Sequence, residues 1–206
     1  MSPDTTRARA GAPRQALDPL ALLVERGGGL YGGEPITQLA HGLQCAALAR
    51  AEGAAETLIL AALFHDLGHL IHPDAEAASA ADMDARHERI GATALERLFG
   101  PAVAAPVRGH VSAKRYLARE PAYRAALSEE STHTLRLQGG PMTDAEAASF
   151  MESPGATEAL RLRRWDDAAK IPDAQVPGPG AYAQMVARHR RERPRLIQRV
   201  TSATHG

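Results

Sequence analysis

The chain has 206 residues, which suits one core enclosing a site better than two domains. Lys+Arg and Asp+Glu both total 24, so no surplus of positive charge exists to hold a long polyanion, and nucleic acid is not expected as a partner. The lone cysteine, Cys45, excludes an internal disulfide and a cysteine-based zinc site. With no signal-like or bilayer-length apolar run, the expectation is a soluble cytoplasmic protein with no membrane partner, monomeric or homodimeric.

Residues 1–15, rich in Ala, Arg, Pro and Thr without apolar periodicity, read as a flexible N-terminal arm, and 16–206 as a single domain. A first helix is expected from Leu17 to Glu25, followed by a glycine-rich loop from Gly27 to Gly33. Pro35 suits the first position of a second helix, in which Ile36, Leu39, Leu43 and Ala46 recur until Gly53 stops it. Leu58 to His69 reads as one central helix carrying polar groups at its C-terminal end. Ala75–Ala81 is ambiguous. Helical patterns then cover Asp84–Leu98, closed by Gly100 and Pro101, and Ala102–Leu117, Ala122–Leu127 and Ser128–Leu137. They continue over Asp144–Met151, with Thr143 and Glu146 as a capping box, then Thr157–Lys170 and Ala181–Arg193, after a turn at Val176–Gly180. No stretch alternates as a strand should, so the expected fold is an all-α helical bundle.

Potential metal ligands occur on successive helices: His41, the pair His65 and Asp66, His87, His110 and Asp166. Imidazole and carboxylate suit first-row transition metals, and a carboxylate can bridge two ions, which makes Asp66 the candidate bridge. The bland alternative, six hydrogen-bonded core polars, is costly because several buried ionisable groups would lack a counterion. His69, one turn after His65, reaches the same cavity without being a ligand. Cys45 can approach the metal from one turn after His41, although packing is the commoner role for a small thiol. His72, His133, His189 and His205 read as surface residues, Arg188–Arg195 as a solvated helix face, and Lys114 and Arg163, taken alone, as solvated helix charges. The glycines before Tyr31 lack the Lys-Ser/Thr of a P-loop.

The segments that carry a resemblance are Tyr31-Gly-Gly-Glu34, Gln38-Leu-Ala-His41, Phe64-His65-Asp66-Leu-Gly-His69, His87-Glu88, Gly109-His110, Lys114, Gln138-Gly-Gly-Pro-Met142, Arg163-Arg-Trp-Asp166 and Val176-Pro-Gly-Pro. Together, from Leu30 to Met185, they resemble the HD-domain superfamily. The closer likeness is to its mixed-valence di-iron oxygenases, the phosphonate-cleaving branch above all and myo-inositol oxygenase more distantly. The resemblance implies one iron held by His41, His65, Asp66 and Asp166 and another held by Asp66, His87 and His110 with open positions. The pair would be Fe(II)/Fe(III), with O2 as co-substrate. It implies further that His69, Lys114, Ser131 and Arg163 grip the phosphonate. Tyr31 and Glu34 would form a lid pair, the phenol at the open iron and the carboxylate facing a cationic substrate nitrogen. Ser131 also reads as part of a loop or helix cap.

The activity implied is O2-dependent cleavage of the C–P bond of a small-molecule 1-hydroxy-2-(trimethylammonio or amino)ethylphosphonate, with release of phosphate and glycine betaine or glycine. The alanine-rich segment Pro73–Arg86, without aromatics, favours the trimethylammonio compound if it borders the pocket. Two other readings compete: a metal-dependent HD phosphohydrolase of a nucleotide or small phosphomonoester, and a noncatalytic helical module stabilised by metal.

Overall fold

The computed structural model describes residues 17–31, 33–71 and 87–191. The expected N-terminal arm, His72, the Pro73–Arg86 segment with Ala75–Ala81, the start of the Asp84 helix, the end of the last helix and His205 lie outside the described residues. Among those described there is no strand, only an isolated bridge between Leu30 and Thr37. The helices are α1 (Pro19–Arg26), α2 (Gln38–Ala51), α3 (Glu56–Phe64), α4 (Leu67–Ile71), α5 (His87–Phe99) and α6 (Pro101–Leu117). They continue with α7 (Pro121–Ala126), α8 (Glu129–Leu137), α9 (Asp144–Met151) and α10 (Ala156–Ala168); a 3-10 turn (Pro179–Tyr182) precedes α11 (Ala183–His189). No helix here is long and apolar enough to cross a membrane.

Helix α3 is buried along all of Leu58–Phe64, as an all-round apolar helix must be, and packs between α2 and α6. Helix α6 in turn packs against α5 and α10, so the helices bearing His41, His87, His110 and Asp166 surround the C-terminal end of α3. The capping box of α9 is present as expected: Glu146 N–H donates to Thr143 Oγ1 at 3.3 Å and Thr143 N–H to Glu146 Oε2 at 2.8 Å.

Two expected boundaries are corrected. Helix α2 starts two residues after Ile36 and not at Pro35, because Thr37 supplies the N-cap, accepting the Ala40 N–H at 3.1 Å. Leu58–His69 is two helices joined by a turn at His65 and Asp66. The His65 ring Nδ1 lies 2.9 Å from Ala62 O, the carbonyl that a continuing α-helix would assign to the Asp66 N–H, and His69 N–H instead closes a tight turn on Asp66 O at 3.0 Å. Apolar periodicity could not reveal the break, since both pieces stay buried. After it, Gly68 meets the start of α5 so closely that a Cβ there would lie 1.9 Å from His87 O. Only glycine lets α4 and α5 touch at this point.

Candidate metal centre

The turn after α3 aims His65 and Asp66 into one buried cluster with His41 from α2, His87 from α5, His110 from α6 and Asp166 from α10. The cluster has two halves. In the first, His41 Nε2 lies 3.2 Å from His65 Nε2 and 3.3 Å from Asp166 Oδ1, and His65 Nε2 lies 3.3 Å from Asp66 Oδ2. In the second, His87 Nε2 and His110 Nε2 stand 3.2 Å apart, each 3.6 Å from Asp66 Oδ1. Asp66 therefore turns one oxygen toward each half, which is the geometry of a bridging carboxylate.

The tautomers follow from the backbone. His41 Nδ1 sits 2.9 Å from Ala169 O, His65 Nδ1 2.9 Å from Ala62 O and His110 Nδ1 2.7 Å from Val107 O. A carbonyl can only accept, so each Nδ1 carries a proton, and in the neutral ring each Nε2 presents a lone pair to the cluster, the arrangement that metal-binding histidines require. Asp66 Oδ2 and Asp166 Oδ1 are buried with no hydrogen-bond partner among the described residues. Lone pairs facing lone pairs at such spacings repel unless cations lie between them, so the donor set fits metal ions and fits poorly as a self-satisfied polar core.

The electrostatics agree. Burial pushes the Asp66 carboxyl up, but His65 and His110 outweigh it and hold it well below the usual range; at Asp166 burial is likewise outweighed, by Arg163 and His41. Both stay ionised. Burial lowers the His65 pKa, yet the Asp66 and Asp166 carboxylates lift it to about 9, a sign that this half asks for positive charge. Burial and the neighbouring His69 keep His87 well below its ordinary value, as a neutral ligand must be. Cys45 also forms a close trio with His41 and His65, with Sγ 3.8 Å from His41 Nε2. Burial, then Asp166 and Asp66, push its thiol pKa well above normal, and a protonated thiol is a poor ligand; Asp166 is the better donor.

A cavity of about 150 Å³ opens on the second half, lined by Asp66, His87 and His110 with Asp166, and also by Tyr31, His69, Lys114, Ser131, Arg163 and Lys170. Lys114 and Arg163 are both buried, which rules out the reading as solvated helix charges. Lys114 Nζ donates to Thr134 Oγ1 at 2.7 Å. Arg163 is clamped by Asp166 at 2.7 Å, by Asp167, by Tyr123 at 3.2 Å and by Ser131 at 3.4 Å. The His69 ring stacks on His87 with centroids 4.1 Å apart, and the Tyr31 ring stacks on His41 at 4.0 Å. Burial, with Asp166 and Asp66 alongside, holds the Tyr31 phenol protonated far above its usual range.

Ser131 lies inside α8, whose N-cap is Ser128. Glu34, expected to face the substrate, is turned instead to an ion pair with Lys170 at 2.7 Å. Sequence reasoning missed Lys170, Tyr123 and Asp167. The Arg163–Asp167 spacing of four was a legible signal, whereas Tyr123 and Lys170 reach the site from distant parts of the chain. His133 is exposed as expected, and His189 is partly buried in an ion pair with Glu56.

Comparison with known proteins agrees with this geometry. The family model described as HD domain matches residues 38–143. The chain is 41% identical over 164 residues to the [1-hydroxy-2-(trimethylamino)ethyl]phosphonate dioxygenase (glycine-betaine-forming) of Leisingera caerulea, covering 79% of this chain and 84% of that protein. It is 42% identical over 174 residues to the hydroxymethylphosphonate dioxygenase of Gimesia maris, covering 82% and 86% respectively. An uncharacterized protein of Acanthamoeba polyphaga mimivirus, L432, is 38% identical over 148 residues, 70% of this chain and 68% of that protein. With a six-donor cluster of His and Asp at its centre, the chain belongs to the HD-domain family, in the oxygenase branch that holds the phosphonate dioxygenases.

Proposed function

We propose that the protein binds two iron ions, an Fe(II)/Fe(III) pair, and uses O2 to break the C–P bond of a 1-hydroxyphosphonate, giving inorganic phosphate and the carboxylic acid formed from C1. The balance is RCH(OH)PO3H2 + O2 → RCOOH + H3PO4. The observation that carries the reading is the division of the two Asp66 oxygens between two histidine-rich halves, with a cavity rich in cationic side chains against His87 and His110.

In this reading His41, His65, Asp66 and Asp166 hold one ion and Asp66, His87 and His110 the other. When bound, the irons supply the one-electron and oxygen chemistry that side chains lack. The chain does the rest. Lys114 and Arg163 neutralise the phosphonate, and the planar guanidinium, braced by Asp166, Asp167 and Tyr123, fixes its orientation. His69 and Ser131 add directional hydrogen bonds to the tetrahedral anion. That places C1 and its hydroxyl toward the Asp66, His87 and His110 face. The Tyr31 phenol, protonated and stacked on His41, covers the first half and excludes water from it.

The test is to load the protein with iron, supply hydroxymethylphosphonate and the trimethylammonio compound with and without O2, and measure phosphate and oxygen consumption together. One phosphate per O2 consumed, and none under strict anaerobiosis, is expected. Phosphate released from phosphomonoesters without oxygen would establish a phosphohydrolase instead.

A further inference from the structure

The two phosphonate dioxygenase relatives act, by their names, on compounds that differ in one respect: one carries a quaternary ammonium and the other has no nitrogen. At nearly equal identity, overall likeness does not choose between them. The charge already present around the cavity does.

Lys170 follows the C-terminal end of α10 and lines the cavity. Its ammonium has three protons to donate. All three have acceptors: Glu34 Oε1 at 2.7 Å, Ser128 Oγ at 3.0 Å and Ser131 Oγ at 3.0 Å. The side chains of Lys170 and Glu34 are each 13% exposed, so the pair is largely shielded from water. Burial raises the Glu34 carboxyl, but hydrogen bonds from Lys170 and Ser128 win and keep it ionised. The Lys170 Nζ also stands 5.9 Å from the centroid of the Tyr31 ring, an aromatic face that would otherwise attract an onium group. An internal cation thus occupies both features that a cationic substrate nitrogen would seek, the carboxylate and the nearby ring. A second positive charge brought there meets a like charge in a partly desolvated wall, with its counterion already bound.

Resting on the oxygenase reading, we propose that Lys170 is a specificity-determining residue that acts as the resident counterion of Glu34, so that the site selects 1-hydroxyphosphonates whose C1 substituent is small and carries no positive charge. Hydroxymethylphosphonate has that chemistry; the trimethylammonio and amino compounds do not. The ammonium also shares Ser131 Oγ with the Arg163 guanidinium, at 3.0 and 3.4 Å.

Two measurements test this on the iron-loaded full chain, comparing the natural protein with Lys170→Met and Lys170→Arg, each checked for an unchanged melting temperature. Steady-state kinetics should give a kcat/KM for hydroxymethylphosphonate at least about tenfold above that for the trimethylammonio compound. In Lys170→Met that ratio should fall about tenfold, and Lys170→Arg should keep it. Calorimetry with the non-hydroxylated methylphosphonate and 2-(trimethylammonio)ethylphosphonate should give the same order of affinity and the same collapse in Lys170→Met, without turnover. A natural protein that favours the onium compound, or a preference unmoved by Lys170→Met, overturns the role of Lys170. Absence of turnover with every hydroxyphosphonate, alongside a charge preference in calorimetry that depends on Lys170, overturns the proposed reaction and leaves the selectivity standing.

Discussion

The two halves of the cluster are built from the same side-chain types and differ in what surrounds them. His41 and His65 are sealed by the Tyr31 ring, Cys45 and the Ala169 carbonyl, and neither lines the cavity. His87 and His110 form part of the cavity wall, which they share with Lys114 and Arg163. A closed pair and an open pair of imidazoles parallel the distinction between structural and catalytic metal sites, with Asp66 turning one oxygen toward each. What a ligand set can do is therefore decided by its neighbours as much as by its donors.

Each prediction breaks or sharpens that contrast. Asp66→Ala removes the shared bridge, and metal analysis should find both halves depleted, with turnover falling to background, about a millionfold or more. Lys114→Ala touches the open side alone: metal content should stay unchanged while kcat/KM for a hydroxyphosphonate drops about a hundredfold. Unchanged kinetics there would remove Lys114 from the binding site. Gly68→Ala forces a Cβ into the His87 carbonyl, so it should weaken metal affinity of the open half by about tenfold or more and cost about 1–3 kcal/mol of stability, with the closed half retained. Thr143→Ala deletes the α9 cap, which is not part of the cavity lining; a denaturant titration should show a loss of about 1 kcal/mol with no change in metal content.

The cluster was legible because the chemistry is local to each residue: six buried His and Asp donors demand a counterion whatever the packing. The α9 cap was legible because Thr143 and Glu146 are three residues apart. The break between α3 and α4 was not, since hydrophobic periodicity reports burial and both helices are buried. Pro35 misled because a proline tolerated at a helix start also suits the turn before a better cap, Thr37. Lys170 was read as the tail of a helix, and its partners Glu34 and Ser128 lie 136 and 42 residues away, a juxtaposition that only the fold creates. The one basis for expecting a trimethylammonio substrate, the Pro73–Arg86 segment, falls outside the described residues.

The carbonyls that orient the imidazoles are unequal in another way. His65 and His110 are each tied to a carbonyl three residues upstream, so a single turn of chain is enough to aim them. His41 depends on Ala169, 128 residues later. On a ribosome, which releases the chain from its N-terminus, the donor group of Asp66, His87 and His110 is complete once His110 emerges, whereas His41 gains its orienting carbonyl only with Ala169.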